Sequence, residues 1–417
     1  MDQSQSNVLL VLMRLDVNDP NPLHARGGRQ EQDIELLDMD REKTYHLLAA
    51  VLDPAHRTTS APATGIELVG SKRETYNRVL TEFHEISTRF YRKGGFIDAP
   101  ESYTEKQQGE VLDAMASVGC LIHDLFPTKN PVREWLDKIL ESSGDRAKLA
   151  QPVTIITNDF NVPWFWLKGE RVGPFLCEVC SLGLLQLSSA GRSVDTHAAK
   201  HDGKHKEYEA LLIKGSTNLP FLEEELDTIT ALLEDSDRRA VRSFKAQRAS
   251  TFDDITRLLR YGEERLRNNF RIVHFSGHYS GKDLLVQGEP APSVALNPVL
   301  DGSVLVLDGC SSGRGLKAWT DVEGLTSRLI NDGHALGCVV TVLPVKHDPI
   351  ASKILWETFY RDLRSRTSTV GQALVRARGA LRDHFTAIGS RNPMWAAYQL
   401  IGSPALQLCD DDDESDR

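Results

Sequence analysis

The sequence predicts an α/β fold in which a mostly parallel sheet is flanked by helices, preceded by a mainly helical amino-terminal region. Three observations predict it. Beyond residue 207, short β-rich runs alternate with helical patterns of about 10–15 residues, the texture of a sheet crossed by helices. Two of those runs, Val273-His274-Phe275 and Val304-Leu305-Val306-Leu307, are largely apolar, as strands covered on both faces are. Between residues 30 and 145, apolar residues recur near helical spacing, as Leu112, Met115, Val118 and Leu121 do.

Taken in order, 7–15 reads as one buried strand and 19–30, rich in Pro, Gly and Asn, as a loop. Helices are expected near 40–53, 72–92, 103–126 and 131–142, with a loop over 54–65. After Pro152 the run 153–157 is β-rich, and Pro163 is suited to open a helical turn. Residues 175–187 hold two further apolar runs, and 188–206 is polar, basic and read as an exposed connection. Strands are then expected at 210–214, 240–245, 271–276, 303–307, 336–343 and 395–401. Helices are expected at 219–235, 251–268, 321–331, 350–364 and 369–385. No internal repeat at a solenoid period is evident.

Bulk properties narrow the class. The chain has 417 residues, 40% hydrophobic and 26% charged, which suits a globular protein with a large core. A formal net charge of -10 argues against a nucleic-acid partner, because phosphate binding needs clustered Lys and Arg. Part of that charge sits in the acidic segment 409–417, which is expected to be disordered. Six cysteines are too sparse for a disulfide scaffold. The first apolar run, 8–13, is too short for a signal-peptide core or a membrane span, so no membrane partner is expected. A reducing cytoplasm is the expected setting, where a thiol stays free for chemistry.

Two strand ends carry reactive side chains. One is His274-Phe275-Ser276-Gly277-His278-Tyr279 and the other Leu307-Asp308-Gly309-Cys310-Ser311-Ser312-Gly313. In open parallel sheets, functional groups collect beyond the carboxyl ends of strands. On neighbouring strands, His278 and Cys310 form the minimal base and nucleophile for acyl transfer. On the chemistry alone, Cys310 as a small buried hydrophobe and His278 as a hydrogen-bonded loop residue is an equal alternative.

These segments, with their companions in order, resemble the CHAT family of caspase-like cysteine proteases. The companions are Asn158-Asp159 with Pro163-Trp164, Gly324-Leu325, and Gly337-Cys338-Val339-Val340-Thr341-Val342-Leu343-Pro344-Val345. Later come Phe359-Tyr360, Val370-Gly371 with Ala373-Leu374 and Ala377-Arg378, then Pro393 with Trp395-Ala396-Ala397-Tyr398-Gln399-Leu400-Ile401-Gly402. The resemblance covers residues 150 to 408 and implies a caspase-like α/β fold.

It also implies roles. Cys310 attacks the scissile carbonyl, and His278 serves as general base and then acid. The oxyanion is held by the backbone N–H groups of Cys310 and Tyr279. The family usually has Gly where Tyr279 stands, and Gly tolerates backbone angles that Tyr resists. This departure implies a site awaiting activation. Asp308 is similar in position to the carboxylate of the Asp-x-Cys-x-Ser-Gly motif of metacaspases. That similarity implies that it selects Arg or Lys before the cut, against the plainer reading of a turn-capping Asp. Asp348, after another strand, is a second candidate for substrate binding. No cofactor and no metal are implied.

The expected organisation is an amino-terminal region over 1–150, which could receive a regulatory partner, and a protease region over 151–408. Within the latter, 151–206 would be an inactive half with a linker and 207–408 the catalytic half. The expected partner is a protein substrate. The family context implies bacterial antiviral defence or cell death, with a substrate such as a gasdermin-like pore former. The alternative is a catalytically inactive interaction module, and a thiol acyltransferase or amidase is a third reading. Other candidates are set aside. Cys177 and Cys180 lack the second pair that a zinc site needs. His197, His201 and His205 lie among Lys, Asp and Gly in the polar connection. His274 faces away from Phe275 and is expected to be structural, and Trp164 and Trp166 read as core.

Overall fold

A computed structural model describes residues 8–16, 45–52, 63–92, 104–141, 151–159, 162–186, 208–215, 219, 221–235, 244–264, 270–279, 284–291, 303–309, 335–343, 348–365 and 368–408. For residues 16, 87–92, 186, 208, 259–264 and 278–279 only the backbone is described. The chain divides into two compact units, one of residues 1–86 and 109–194, the other of 87–108 and 195–417.

The first unit contains strands β1 (Val8–Asp16), β2 (Tyr45–Leu52), β3 (Thr64–Leu68), β4 (Pro152–Thr157) and β5 (Ser181–Gln186) in the order β3-β2-β1-β4-β5. Strand β1 runs parallel to β4, and β4 to β5, while β2 pairs antiparallel with both β1 and β3. Helix α1 (Gly70–Arg92) begins in this unit, and α2 (Glu105–Asp124), α3 (Pro131–Glu141) and the short α4 (Leu176–Val179) contribute to it. Helix α2 turns Val111, Met115, Val118 and Ile122 inward, so Met115 and Val118 of the expected stripe are buried while Leu112 and Leu121 lie half-buried on its flanks. A 3-10 turn, Trp164–Trp166, follows Pro163 and is wholly buried. Trp166 meets Phe83 edge-on, with ring centroids 5.2 Å apart.

The second unit contains β6 (Tyr208–Lys214), β7 (Phe244–Ala249), β8 (Phe270–Ser276), β12 (Val304–Asp308), β13 (Gly337–Thr341) and β14 (Tyr398–Gly402). Their order is β14-β13-β12-β8-β6-β7, and all neighbours are parallel except β14, which runs antiparallel to β13. Strands β9 (His278–Tyr279), β10 (Leu284–Val286) and β11 (Glu289–Ala291) form a separate antiparallel sheet. The helices are α5 (Leu222–Glu234), α6 (Phe252–Glu264), α7 (Pro349–Leu363) and α8 (Val370–Ala387), and α7 packs against both α5 and α8. Every residue of β8, β12, β13 and β14 is buried, as expected of central strands covered on both faces.

The mostly parallel sheet flanked by helices is the predicted fold class. Within it, several expectations need correction. Residues 45–52 form a strand, not a helix: the run Leu47-Leu48-Ala49-Ala50-Val51 favours a helix locally, but lying between β1 and β3 supplies it with two sets of sheet hydrogen bonds. The strand expected at 240–245 is Phe244–Ala249, the stretch that pairs with β6 from Tyr208 to Ile213. Residues 64–65, expected in a loop, open β3. The expected helix at 321–331, the polar connection with its three histidines, and the acidic segment 409–417 lie outside the described residues.

Candidate active site

Strands β8 and β12 are adjacent and parallel, and their last residues, Ser276 and Asp308, are register partners. The pairing extends one step further, since the Gly277 N–H donates to the Asp308 carbonyl at 2.9 Å. His278 stands two residues beyond Ser276, as Cys310 stands two beyond Asp308. The backbone of His278 and Tyr279 forms β9, opposite Leu285 and Leu284 of β10. Cys310 lies outside the described residues, as do the side chains of His278 and Tyr279.

Two glycines let the loops meet here. A Cβ on Gly277 would sit 2.7 Å from the Cα of Gly215, and one on Gly215 would sit 2.4 Å from the ring of Phe275. That close approach brings hydrogen bonds with it. The Gly215 N–H donates to the Ser276 carbonyl at 2.7 Å, and the Gln287 N–H to the Gly215 carbonyl at 2.9 Å. The end of β6, the end of β8 and the β10–β11 hairpin are therefore laced together by backbone. Thr341, at the end of β13, donates its hydroxyl to the Gly309 carbonyl at 3.1 Å, directly before the nucleophile candidate.

Beneath the strand ends lies a buried polar cluster. Asp308 accepts the indole N–H of Trp356 at 2.7 Å and the hydroxyl of Tyr398 at 3.0 Å. Glu225, from the first turn of α5, accepts the hydroxyl of Ser276 at 2.6 Å and that of Ser352. His274 Nδ1 is 2.7 Å from the Tyr360 hydroxyl, and its ring stands edge-on to Trp356 at 5.1 Å. Burial, with the charges of Glu225 and Asp308 nearby, pushes the Tyr360 hydroxyl well above the usual phenol range, so it stays protonated. His274 is fully buried, between Trp356 and Tyr360. Sequence reading missed Glu225. Its signal was spacing: it falls with Leu222, Leu226 and Ile229 on the inward face of α5.

Asp348, the other carboxylate singled out, caps α7. Its Oδ1 accepts the N–H of Ile350 at 3.0 Å and of Ala351 at 3.1 Å. Among the described residues, one group could hold a cation: Glu225, His274 and Asp308, whose ligand atoms lie within 4.8 Å of one another. Cys177 and Cys180 are buried thiols not joined in a disulfide, and burial raises the Cys180 thiol far above its ordinary value, as befits core residues.

The first unit carries its own cluster at the ends of β1 and β4. Arg14 reaches Tyr76 at 2.9 Å and Asp159 at 3.6 Å, and Tyr76 donates to Asp159. The Asn158 amide exchanges two 2.8 Å hydrogen bonds with the backbone of Arg14, and the indole N–H of Trp164 donates to the Asp159 carbonyl at 2.9 Å. Asn158, Asp159 and Trp164 thus fasten the end of β4 to the end of β1.

No curated protein matches this chain. Two solved structures are similar at low identity. One is a complex of Porphyromonas gingivalis RgpB pro- and mature domains, 12% identical over 67% of this chain and 70% of that one, with a TM-score of 0.44. The other is the Arg specific cysteine proteinase gingipain R, 11% identical over 67% of this chain and 68% of that one, with a TM-score of 0.43. The family model for the CHAT domain matches residues 131–403, well over half of the chain, and the chain therefore belongs to the CHAT-domain family.

Proposed function

We propose that the chain is a cysteine endopeptidase that cuts a protein substrate after a basic residue. The observation that carries the reading is the parallel register of β8 and β12, with Ser276 opposite Asp308 and a further hydrogen bond from Gly277. It supports His278 and Cys310 as neighbours, each two residues past a register partner. Membership of the CHAT-domain family supports the same chemistry. In the proposed reaction, the Cys310 sulfur attacks the scissile carbonyl carbon while His278 takes the thiol proton. His278 then gives that proton to the leaving amine, and water hydrolyses the thioester. The N–H groups of Cys310 and Tyr279 hold the oxyanion. Asp308 faces the basic side chain, and Asp348 lies further along the substrate.

The proposed organisation keeps residues 1–150 as a region open to a regulatory partner. It keeps 151–206 as a non-catalytic half with its linker and 207–408 as the catalytic half. The proposed setting is the cytoplasm, in bacterial antiviral defence or cell death, with a gasdermin-like pore former as the kind of substrate activated. No helix among the described residues is long and apolar enough to cross a membrane. A second reading, a catalytically inactive interaction module, is favoured by Tyr279 standing where the family usually has Gly.

The experiment compares the unaltered chain with Cys310→Ala and His278→Ala on a peptide library and on a lysate. Both substitutions are expected to abolish cleavage, by several orders of magnitude in rate, with unchanged circular dichroism. Cleavage retained by Cys310→Ala would overturn the assignment. Inertness of the unaltered chain toward thiol-selective electrophiles would favour the inactive module.

A further inference from the structure

Strand β12 lies between β8 and β13, and its two ladders end at different points. The β8 ladder runs on to the pair of Asp308 with Ser276, and the Gly277 N–H then donates to the Asp308 carbonyl at 2.9 Å. The β13 ladder stops earlier, at Val306 with Val339. Past that point a side chain takes over on the β13 side, where the Thr341 hydroxyl donates to the Gly309 carbonyl at 3.1 Å. Successive carbonyls at the end of β12 are therefore fastened from opposite neighbours, one by backbone and one by a hydroxyl.

Thr341 is suited to that task. It is 8% exposed, so its hydroxyl needs a partner within the protein. Its branched Cβ restricts the side chain to few rotamers. Its backbone is itself pinned, by pairing with Tyr398 of β14 and by the next N–H, that of Val342, which donates to the Ala397 carbonyl at 2.8 Å. Tyr398 in turn donates its hydroxyl to Asp308 at 3.0 Å, so β14 braces both Thr341 and Asp308.

The Gly309 carbonyl belongs to the peptide group whose N–H is that of Cys310. In a trans peptide the two lie in one plane and point in opposite directions, and rotation about the soft bonds on either side swings them together. A hydrogen bond to the carbonyl therefore fixes where the N–H points. It also makes that N–H a stronger donor, because hydrogen bonds in a chain polarise one another. We propose that Thr341 is a positioning residue for the oxyanion site, acting through the Gly309 carbonyl to aim the Cys310 N–H. This rests on the reading of Cys310 as the nucleophile and of its N–H as an oxyanion donor. The Thr341 hydroxyl touches no reacting atom. Its effect is confined to steps in which charge develops on the oxygen of an attacked carbonyl.

The test compares two reactions of Cys310 in the full chain, each with a small probe that needs no substrate recognition. Para-nitrophenyl acetate acylates the thiol: the sulfur–carbon bond forms through a tetrahedral oxyanion, nitrophenolate leaves, and the thiol proton passes to His278. Iodoacetamide alkylates the same sulfur by displacing iodide from a saturated carbon, with no oxyanion. Rates are read after subtracting those of Cys310→Ala. Thr341→Val keeps the shape and removes the hydroxyl. It is expected to lower the ratio of acylation to alkylation by at least about 10-fold, the low end of what an oxyanion donor is worth. Thr341→Ala takes its place if a thermal melt shows Thr341→Val to be unfolded. Thr341→Ser restores the hydroxyl, and its ratio is expected to lie nearer to that of the unaltered chain. An unchanged ratio without the hydroxyl overturns the proposal, even where both rates fall together, since that marks a residue that only holds the end of β12. A ratio in Thr341→Ser as low as that of the variant without the hydroxyl overturns it too. Failure of the unaltered chain to be acylated, with alkylation intact, overturns it without any variant, since the Thr341 bond is present there. Equal alkylation of the unaltered chain and His278→Ala fells the dyad itself, a failure separate from any in the ratio.

Discussion

Asp308 holds two buried donors, the Trp356 indole and the Tyr398 hydroxyl, so replacing it has two separable effects. Asp308→Ala strands both donors and is expected to cost about 2–6 kcal/mol of stability, at about 1–3 kcal/mol for each unsatisfied buried group. Asp308→Asn keeps an acceptor and removes the charge. Its stability loss is expected to be about half as large, while turnover of peptides with Arg or Lys before the cut falls by at least about 10-fold. Thermal melts and kcat/KM for the two variants check this. At this scale the candidate residues stood out because motif and strand end coincide in sequence. Glu225 did not, because Glu223-Glu224-Glu225 reads as a solvated acidic first turn. Only its place on the face of Leu222, Leu226 and Ile229 separates it from Glu223, whose side chain is 61% exposed.

Among elements, the β10–β11 hairpin bears most directly on the site, because Leu285 pairs with His278 while Gln287 is tied to Gly215. Gly215→Ala would drive a methyl group to 2.4 Å from the Phe275 ring and 2.9 Å from the Leu285 carbonyl. Both neighbours belong to strands that set the backbone of β9. The variant is expected to fold with a lowered melting temperature and to lose at least about 10-fold in kcat, because small displacements of a catalytic group are costly. A kcat equal to that of the unaltered chain would show that this lacing does not matter to turnover. The hairpin went unread in the sequence because its strands are three residues long, too short for alternation to register. Helices α1, α2 and α3 were legible for the opposite reason: each runs long enough for a 3.6-residue period to repeat. Strand β2 was misread because Leu and Ala favour a helix when nothing else decides, and here pairing with β1 and β3 decides.

Across the whole molecule, alternation of β-rich and helical segments beyond residue 207 was enough to predict the fold class, although local pattern left the type of β2 misread. Alternation does not fix partners. Strand β1 pairs with β4 from 145 positions away, as Val8 does with Val153, and no local pattern encodes a contact at that separation. Nor does the pattern give direction. Strand β14 reads like its neighbours yet runs against β13, with Gly402 opposite Gly337 at the start of that strand. This reversal has a practical consequence. The parallel strands deliver their chain ends to the edge where Gly277 and Gly309 sit, whereas β14 delivers its own to the far edge. There the following residues are held on the start of α8, by bonds from the Val370 N–H to the Leu406 carbonyl and from the Gly371 N–H to the Pro404 carbonyl. A fluorophore, affinity handle or surface tether placed at Leu408 therefore starts from the edge of this sheet opposite Gly277 and Gly309.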